Sequence, residues 1–167
     1  VDPQTVDLHF ALGSLFRRQG EIDRATRMHQ NLPDRPDLPA DKRQAAVFEL
    51  AQDFHRAGLL DRAEELFTKL DGSPFEHASL GFLISIYEQE KDWPKAIAVT
   101  RRMEAIAKRP YFREIAHYHC EIAQALLVKP DIVAARAQID LALAEYKACA
   151  RATMLLGDLE LARGDVP

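Results

Sequence analysis

Residues 9–32, HFALGSLFRRQGEIDRATRMHQNL, and residues 48–70, FELAQDFHRAGLLDRAEELFTKL, decide the fold. They share few letters but one grammar. An apolar stripe is followed by an aromatic, then Arg-Arg or His-Arg, a glycine, an apolar residue, Asp-Arg-Ala and a second apolar stripe. Such a recurrence describes a helical hairpin that cannot bury its apolar face alone and stacks on a copy of itself. The alanine of the second stripe marks each copy: Ala25, Ala63, Ala96 and Ala135, spaced 38, 33 and 39 residues apart. A repeat of about 34 residues with short insertions fits these intervals.

The first helix of each copy sets the register. Leu8, Ala11, Leu12, Leu15 and Phe16 stand at the spacing of one helix face. So do Val47, Leu50, Ala51 and Phe54, then Leu80, Leu83, Ile84 and Tyr87, then His119, Ile122, Ala123 and Leu126. These stripes are expected to form the core. Gly13 and Gly157 fall inside helices, where glycine costs about 1 kcal/mol relative to alanine, so close approach of a neighbour is expected at both. Gly20, Gly58 and Gly164 fall where helices should end. Pro33, Pro36 and Pro39 lengthen the first interval, and Ser73, Pro74 and Glu76 read as a capping box with proline at the first helical position. No segment alternates with period two for long enough to suggest a sheet.

The expected fold class is therefore all-α, a right-handed superhelical solenoid of antiparallel helix pairs forming a single domain over residues 1–167. Four hairpins are expected, at about 6–35, 41–72, 74–107 and 111–146, followed by the first helix of a fifth at about 148–163. GDVP at 164–167 parallels GEID and KDWP, each opening a second helix, so the chain is expected to be a piece of a longer protein. The apolar face after Leu161 would then favour self-association.

Bulk properties narrow the function. A net charge of -4 argues against nucleic acid as the main partner. No apolar run approaches the roughly 20 residues of a membrane span, and no signal-peptide pattern opens the chain, which is expected to be soluble. Two cysteines, Cys120 and Cys149, are too few for a disulfide scaffold and point to a reducing compartment. Phosphate loops, nucleophile elbows and zinc-protease motifs are absent. His117, His119, Cys120 and Glu121 invite a metal, but on a helix His119 turns toward the core while His117 stays at the surface near Glu114 and Glu121. The basic run at 101–109 reads as a solvated helix end. No catalytic residue, cofactor or metal is expected, and the chain reads as a non-enzyme.

The repeat resembles the tetratricopeptide family: Leu12-Gly13, Phe16, Gly20 and Ala25 take that motif's places, as do Leu50-Ala51, Phe54, Gly58, Ala63 and Phe67. His9 and His119 stand where that motif often has tryptophan, and Glu160 where it has an aromatic. In such arrays the first helices line a concave surface that holds a partner segment. The resemblance places there Phe10, Ser14 and Arg17, then Phe48, Gln52 and His55, then Gly81, Ser85 and Glu88, then Cys120 and Gln124. Phe10 and Phe48 are equally readable as packing between hairpins. The Lys/Asn clamp of chaperone-binding members is missing, its places held by Phe10, Ser14, Phe48 and Gln52. An extended or amphipathic peptide with apolar anchors suits the remainder better.

Four stretches together, LGSLFRRQGEIDRATRMHQNL, LAQDFHRAGLLDRAEELF, DWPKAIAVTRRMEAI and EIAHYHCEIAQALL, resemble the bacterial lipopolysaccharide assembly protein B family, in its central repeat region. That resemblance implies an adaptor on the cytoplasmic side of the inner membrane of a Gram-negative bacterium. It would help a membrane AAA+ protease degrade the deacetylase that commits precursor to lipid A. Family members carry a membrane helix and a rubredoxin-like metal domain, neither of which this sequence contains. Two other readings stay open: a generic repeat scaffold in cell-envelope or secretion assembly, and the repeat arm of a glycosyltransferase.

Overall fold

The computed structural model describes residues 3–164. Among them are nine helices: α1 (Pro3–Arg18), α2 (Ile22–His29), α3 (Ala40–Arg56), α4 (Leu60–Thr68), α5 (Glu76–Glu90), α6 (Trp93–Ala107), α7 (Phe112–Val128), α8 (Ile132–Glu145) and α9 (Ala150–Arg163). The described residues form no strand. The hairpin start read from GDVP falls on residues 165–167, outside the described residues.

Glycine closes α1, α3 and α9, with φ of 83° at Gly20, 75° at Gly58 and 75° at Gly164. At the first two, the next amide reaches back five residues: Glu21 N–H donates to Phe16 O at 2.9 Å, and Leu59 N–H to Phe54 O at 2.9 Å. This is the ring that left-handed closure makes possible. α5 ends on the same bond, Asp92 N–H to Tyr87 O at 2.9 Å, but with Lys91 in the left-handed position. Asp92 and Asp131 then cap α6 and α8, accepting from Lys95 N–H and Ala134 N–H. The capping box before α5 sits earlier than its sequence suggests. Ser73 Oγ accepts from Phe75 N–H at 3.1 Å and Glu76 reaches back to Gly72 N–H at 3.0 Å. Pro74 is thus in the turn, and the helix starts at Glu76.

The chain divides into two compact units, 1–86 and 87–167. Repeat arrays pack nearest neighbours and have no shared centre, so compactness is local. In the first unit α1 packs on α2 and on α3, and α3 on α4. Its core includes a run of aromatic rings. Phe67 stacks on Phe82 at 4.7 Å and Phe48 on Phe75 at 5.0 Å, while Phe48 meets Phe67 and Phe82 edge-on, each at 6.0 Å. In the second unit α7, α8 and α9 share a core of Ala116, Cys120, Ala123, Ala135, Ile139, Ala142, Ala152, Leu155 and Leu159. Alanines at the contacts let these backbones approach closely. All four anchor alanines, Ala25, Ala63, Ala96 and Ala135, are fully buried.

Two of the four stripes are corrected. On α1, Leu8, Leu12 and Leu15 are 56%, 36% and 41% exposed. Its inward face instead runs through Val6, Phe10, Gly13, Ser14 and Arg17, because α2 and α3 lie on that side and no described helix covers the other. On α7 the buried face is Ile115, Ala116, Cys120 and Ala123, with Ile122 and Leu126 only half-buried. Gly13 does meet a neighbour, whereas Gly157 has nothing within 4 Å of where a side chain would start. Along its face Met154 and Leu161 are also exposed.

Candidate functional site

The polar inward face of α1 meets α3 in an ionic network. Arg17 Nη1 donates to Asp53 Oδ1 at 2.7 Å and to the Glu49 carbonyl at 3.1 Å, while Nη2 donates to Glu49 Oε2 at 2.6 Å. Ser14 Oγ donates to the same Glu49 oxygen at 2.9 Å. Asp53 is wholly buried, and its second oxygen accepts from His29 Nδ1 of α2 at 2.5 Å. Burial opposes the charge on Arg17, but the bonds to Glu49 and Asp53 outweigh it and hold its pKa above the ordinary arginine value. His29 is fully buried beside Gly13, with its Nε2 unpartnered.

Beside this network lies an open groove of about 410 Å³, lined by Arg17, Arg18, Gln52, His55, Arg56 and Phe82. The His55 ring stands edge-on to Phe82 at 5.3 Å, and its Nε2 has no hydrogen-bond partner. Burial, and then the neighbouring Arg56, push the His55 pKa below its ordinary 6.5, so the ring is neutral at pH 7.

The structure brings Arg17, Gln52 and His55 together in this groove. Phe10 is half-buried instead, tilted against His29 at 6.3 Å and packed on Val6, Leu32, Leu38 and Ala46. Phe48 belongs to the aromatic core, Ser14 is bonded to Glu49, and Gly81 and Ser85 are exposed on α5. In the second unit Glu88 accepts from the Tyr118 hydroxyl at 2.5 Å. Burial, reinforced by Glu88, raises the pKa of that hydroxyl. Gln124 is exposed and accepts from Arg151 at 2.5 Å. Cys120, expected on the concave surface, is fully buried, its Sγ 3.9 Å from that of Cys149. That burial closes it to a partner and, with Cys149, pushes the thiol up to about 12. His119 bonds Gln138 at 2.8 Å, and the exposed His117 lies 3.7 Å from Glu121.

Arg18, Arg56 and Phe82 are the groove residues the stripe reading misses. The signal is present in the repeat itself. Arg17-Arg18 and His55-Arg56 hold the same places before Gly20 and Gly58, and the third copy has Glu88-Gln89 there.

Helical hairpins with fully buried anchor alanines and glycine-closed first helices give this chain an all-α tetratricopeptide-repeat fold. A tetratricopeptide repeat family pattern matches residues 120–167. The crystal structure of MamA protein superposes with a TM-score of 0.58 at 17% identity, covering 98% of this chain and 85% of that one. The likeness carried by the sequence motifs extends over nearly the whole chain. Lipopolysaccharide assembly protein B of Escherichia coli is 37% identical over 165 residues, 98% of this chain and 42% of that protein. Its counterpart in Haemophilus influenzae is 35% identical over 160 residues, 95% of this chain and 40% of that protein. This chain thus spans about two fifths of the length of the curated relatives it matches. No helix among the described residues is long and apolar enough to cross a membrane.

Proposed function

We propose that this chain is a non-catalytic interaction scaffold of lipopolysaccharide assembly. In that reading it acts as part of an adaptor that brings a membrane AAA+ protease to the deacetylase committing precursor to lipid A. The observation that carries the reading is the 37% identity to lipopolysaccharide assembly protein B over 98% of the chain. The architecture supports it, because stacked hairpins within a unit set side chains of neighbouring first helices on a surface suited to holding a protein segment. Attachment at the cytoplasmic side of the inner membrane belongs to the same proposal and would rest on parts of the longer relatives outside this alignment.

The test is a crosslinking pulldown from a Gram-negative membrane extract, with a full-length relative run in parallel. Recovery of the protease or the deacetylase by this chain supports the adaptor reading. Recovery of both by the relative and of neither by this chain would place recognition elsewhere and overturn it.

A further inference from the structure

We propose that the groove of the first unit takes an acidic segment of a protein partner, its carboxylates paired by Arg18 and Arg56 and an apolar side chain resting on Phe82. This rests on the interaction-scaffold reading above and specifies the chemistry of what is bound.

The lining is one-sided. Arg17, Arg18, Arg56 and His55 are joined by an amide, Gln52, and one ring, Phe82, with no carboxylate. The chain as a whole carries more acid than base, 26 residues against 22, so a concavity free of acid is a local departure from its composition. Arg17 is already neutralised by Glu49 and Asp53, which fixes it as a wall of the groove. Arg18 and Arg56 have no carboxylate, carbonyl or ring partner among the described residues.

Other arginines of the same unit are occupied. Arg24 pairs with Glu21 and covers Phe16, Arg35 pairs with Asp37, Arg43 donates to the carbonyls of Arg35 and Leu38, and Arg62 lies over Phe54. An incoming carboxylate supplies what Arg18 and Arg56 lack.

Placement by the repeat strengthens the case. The two unpaired arginines occupy equivalent positions at the ends of α1 and α3, so stacking the hairpins brings both to the lining of one groove. A cation at a helix end is ordinarily explained by the helix dipole alone. That explanation does not account for a concave lining shared by Phe82 and two partnerless arginines. The volume accommodates a few side chains, the low end of the roughly 300–1,000 Å³ typical of ligand pockets. That size, with the overall negative charge, favours a short acidic segment over a long polyanion, which the rest of the surface would repel.

The experiment measures fluorescence anisotropy of a labelled peptide of alternating Glu and Asp with one central Leu, at low salt, against its Gln/Asn counterpart. It uses the whole chain, an Arg18→Ala/Arg56→Ala variant, and an Arg27→Ala/Arg62→Ala variant that removes equal charge from a different concavity, with helicity checked for each. The acidic peptide is expected to bind more tightly than its neutral counterpart. The Arg18/Arg56 variant should weaken it roughly tenfold, and the Arg27/Arg62 variant should leave it unchanged. No binding, or equal weakening by both variants, overturns the proposal. So does an Arg18/Arg56 dependence seen only with phosphatidylglycerol vesicles or RNA. In the membrane-extract pulldown, capture of a partner undiminished in the Arg18/Arg56 variant defeats this assignment and leaves the scaffold reading standing. A wild-type chain that binds the peptide through these arginines but captures neither protein defeats the scaffold reading instead.

Discussion

At Gly13 the first helix gives up intrinsic helix propensity to admit a neighbour's ring. A Cβ added there would lie 2.2 Å from His29 Nε2, and His29 is fully buried and held at Nδ1 by Asp53, so the ring has little room to yield. Gly13→Ala is expected to destabilise the protein by about 1–3 kcal/mol, the overpacking cost exceeding the gain in helix propensity. Gly157→Ala is the matched control. With nothing within 4 Å it should stabilise by up to about 1 kcal/mol, and urea melts of the two variants should move in opposite directions. His55 offers a second test at this scale. Its pKa is lowered first by burial and then by Arg56, so near and below pH 6.5 the unfolded chain holds a proton that the folded chain has released. Its contribution to stability is therefore complete above pH 6.5 and is lost as the pH falls through 6.5 toward the folded value. His55→Gln should flatten that part of the profile, read as the urea midpoint between about pH 7.5 and about pH 5.5. An unaltered slope would mean that the ring is not held neutral by its surroundings.

At the scale of elements, Asp53 is the joint of the first unit. One carboxylate on α3 accepts from Arg17 of α1 and from His29 of α2, and none of its surface is exposed. Asp53→Ala leaves a guanidinium and a buried imidazole without their acceptor and is expected to cost about 3–5 kcal/mol, measured by urea unfolding. Asp53→Asn, which keeps a hydrogen-bonding side chain, should cost less. This joint also explains what the sequence conceals. Hairpin positions, anchor alanines and glycine closures are legible, because each follows from spacing and from backbone conformations that few residues adopt. The inward face of α1 is not. Periodicity assigns the apolar residues Leu8, Leu12 and Leu15 to the core, yet the side that meets α3 is polar, since Ser14 and Arg17 find their partners in Glu49 and Asp53, some 32 to 36 residues away. A stripe rule sees amphipathicity within one helix and is blind to a polar network completed by another. The groove was half legible for the same reason. Arg17, Gln52 and His55 follow from the repeat register, whereas Arg18 and Arg56 look like any solvated pair at a helix end until the concavity is seen.

At the scale of the whole molecule, a chain built from neighbour contacts should lose stability where it is injured and not everywhere at once. Each unit has its own local packing. The first depends on the Arg17–Asp53–His29 joint and the rings around Phe67, the second on the alanine-rich contacts of α7, α8 and α9. None of the residues in that second core takes part in the joint. Amide hydrogen exchange of Asp53→Ala should therefore show faster opening across α1, α2 and α3, while protection near Ile139 and Leu159 keeps its wild-type value. The place where the lost free energy appears separates the two kinds of unfolding. If unfolding were one all-or-none event, the most protected amides of both units would exchange through that event and would all accelerate by the same factor. In a repeat array the low-energy openings are local, and a substitution in α3 changes only those that break its own contacts. Equal acceleration in α3 and α8 would contradict the nearest-neighbour account. A gradient that falls off away from Asp53 would support it, and would leave a surface on one unit free to adapt to a partner while the other stays folded.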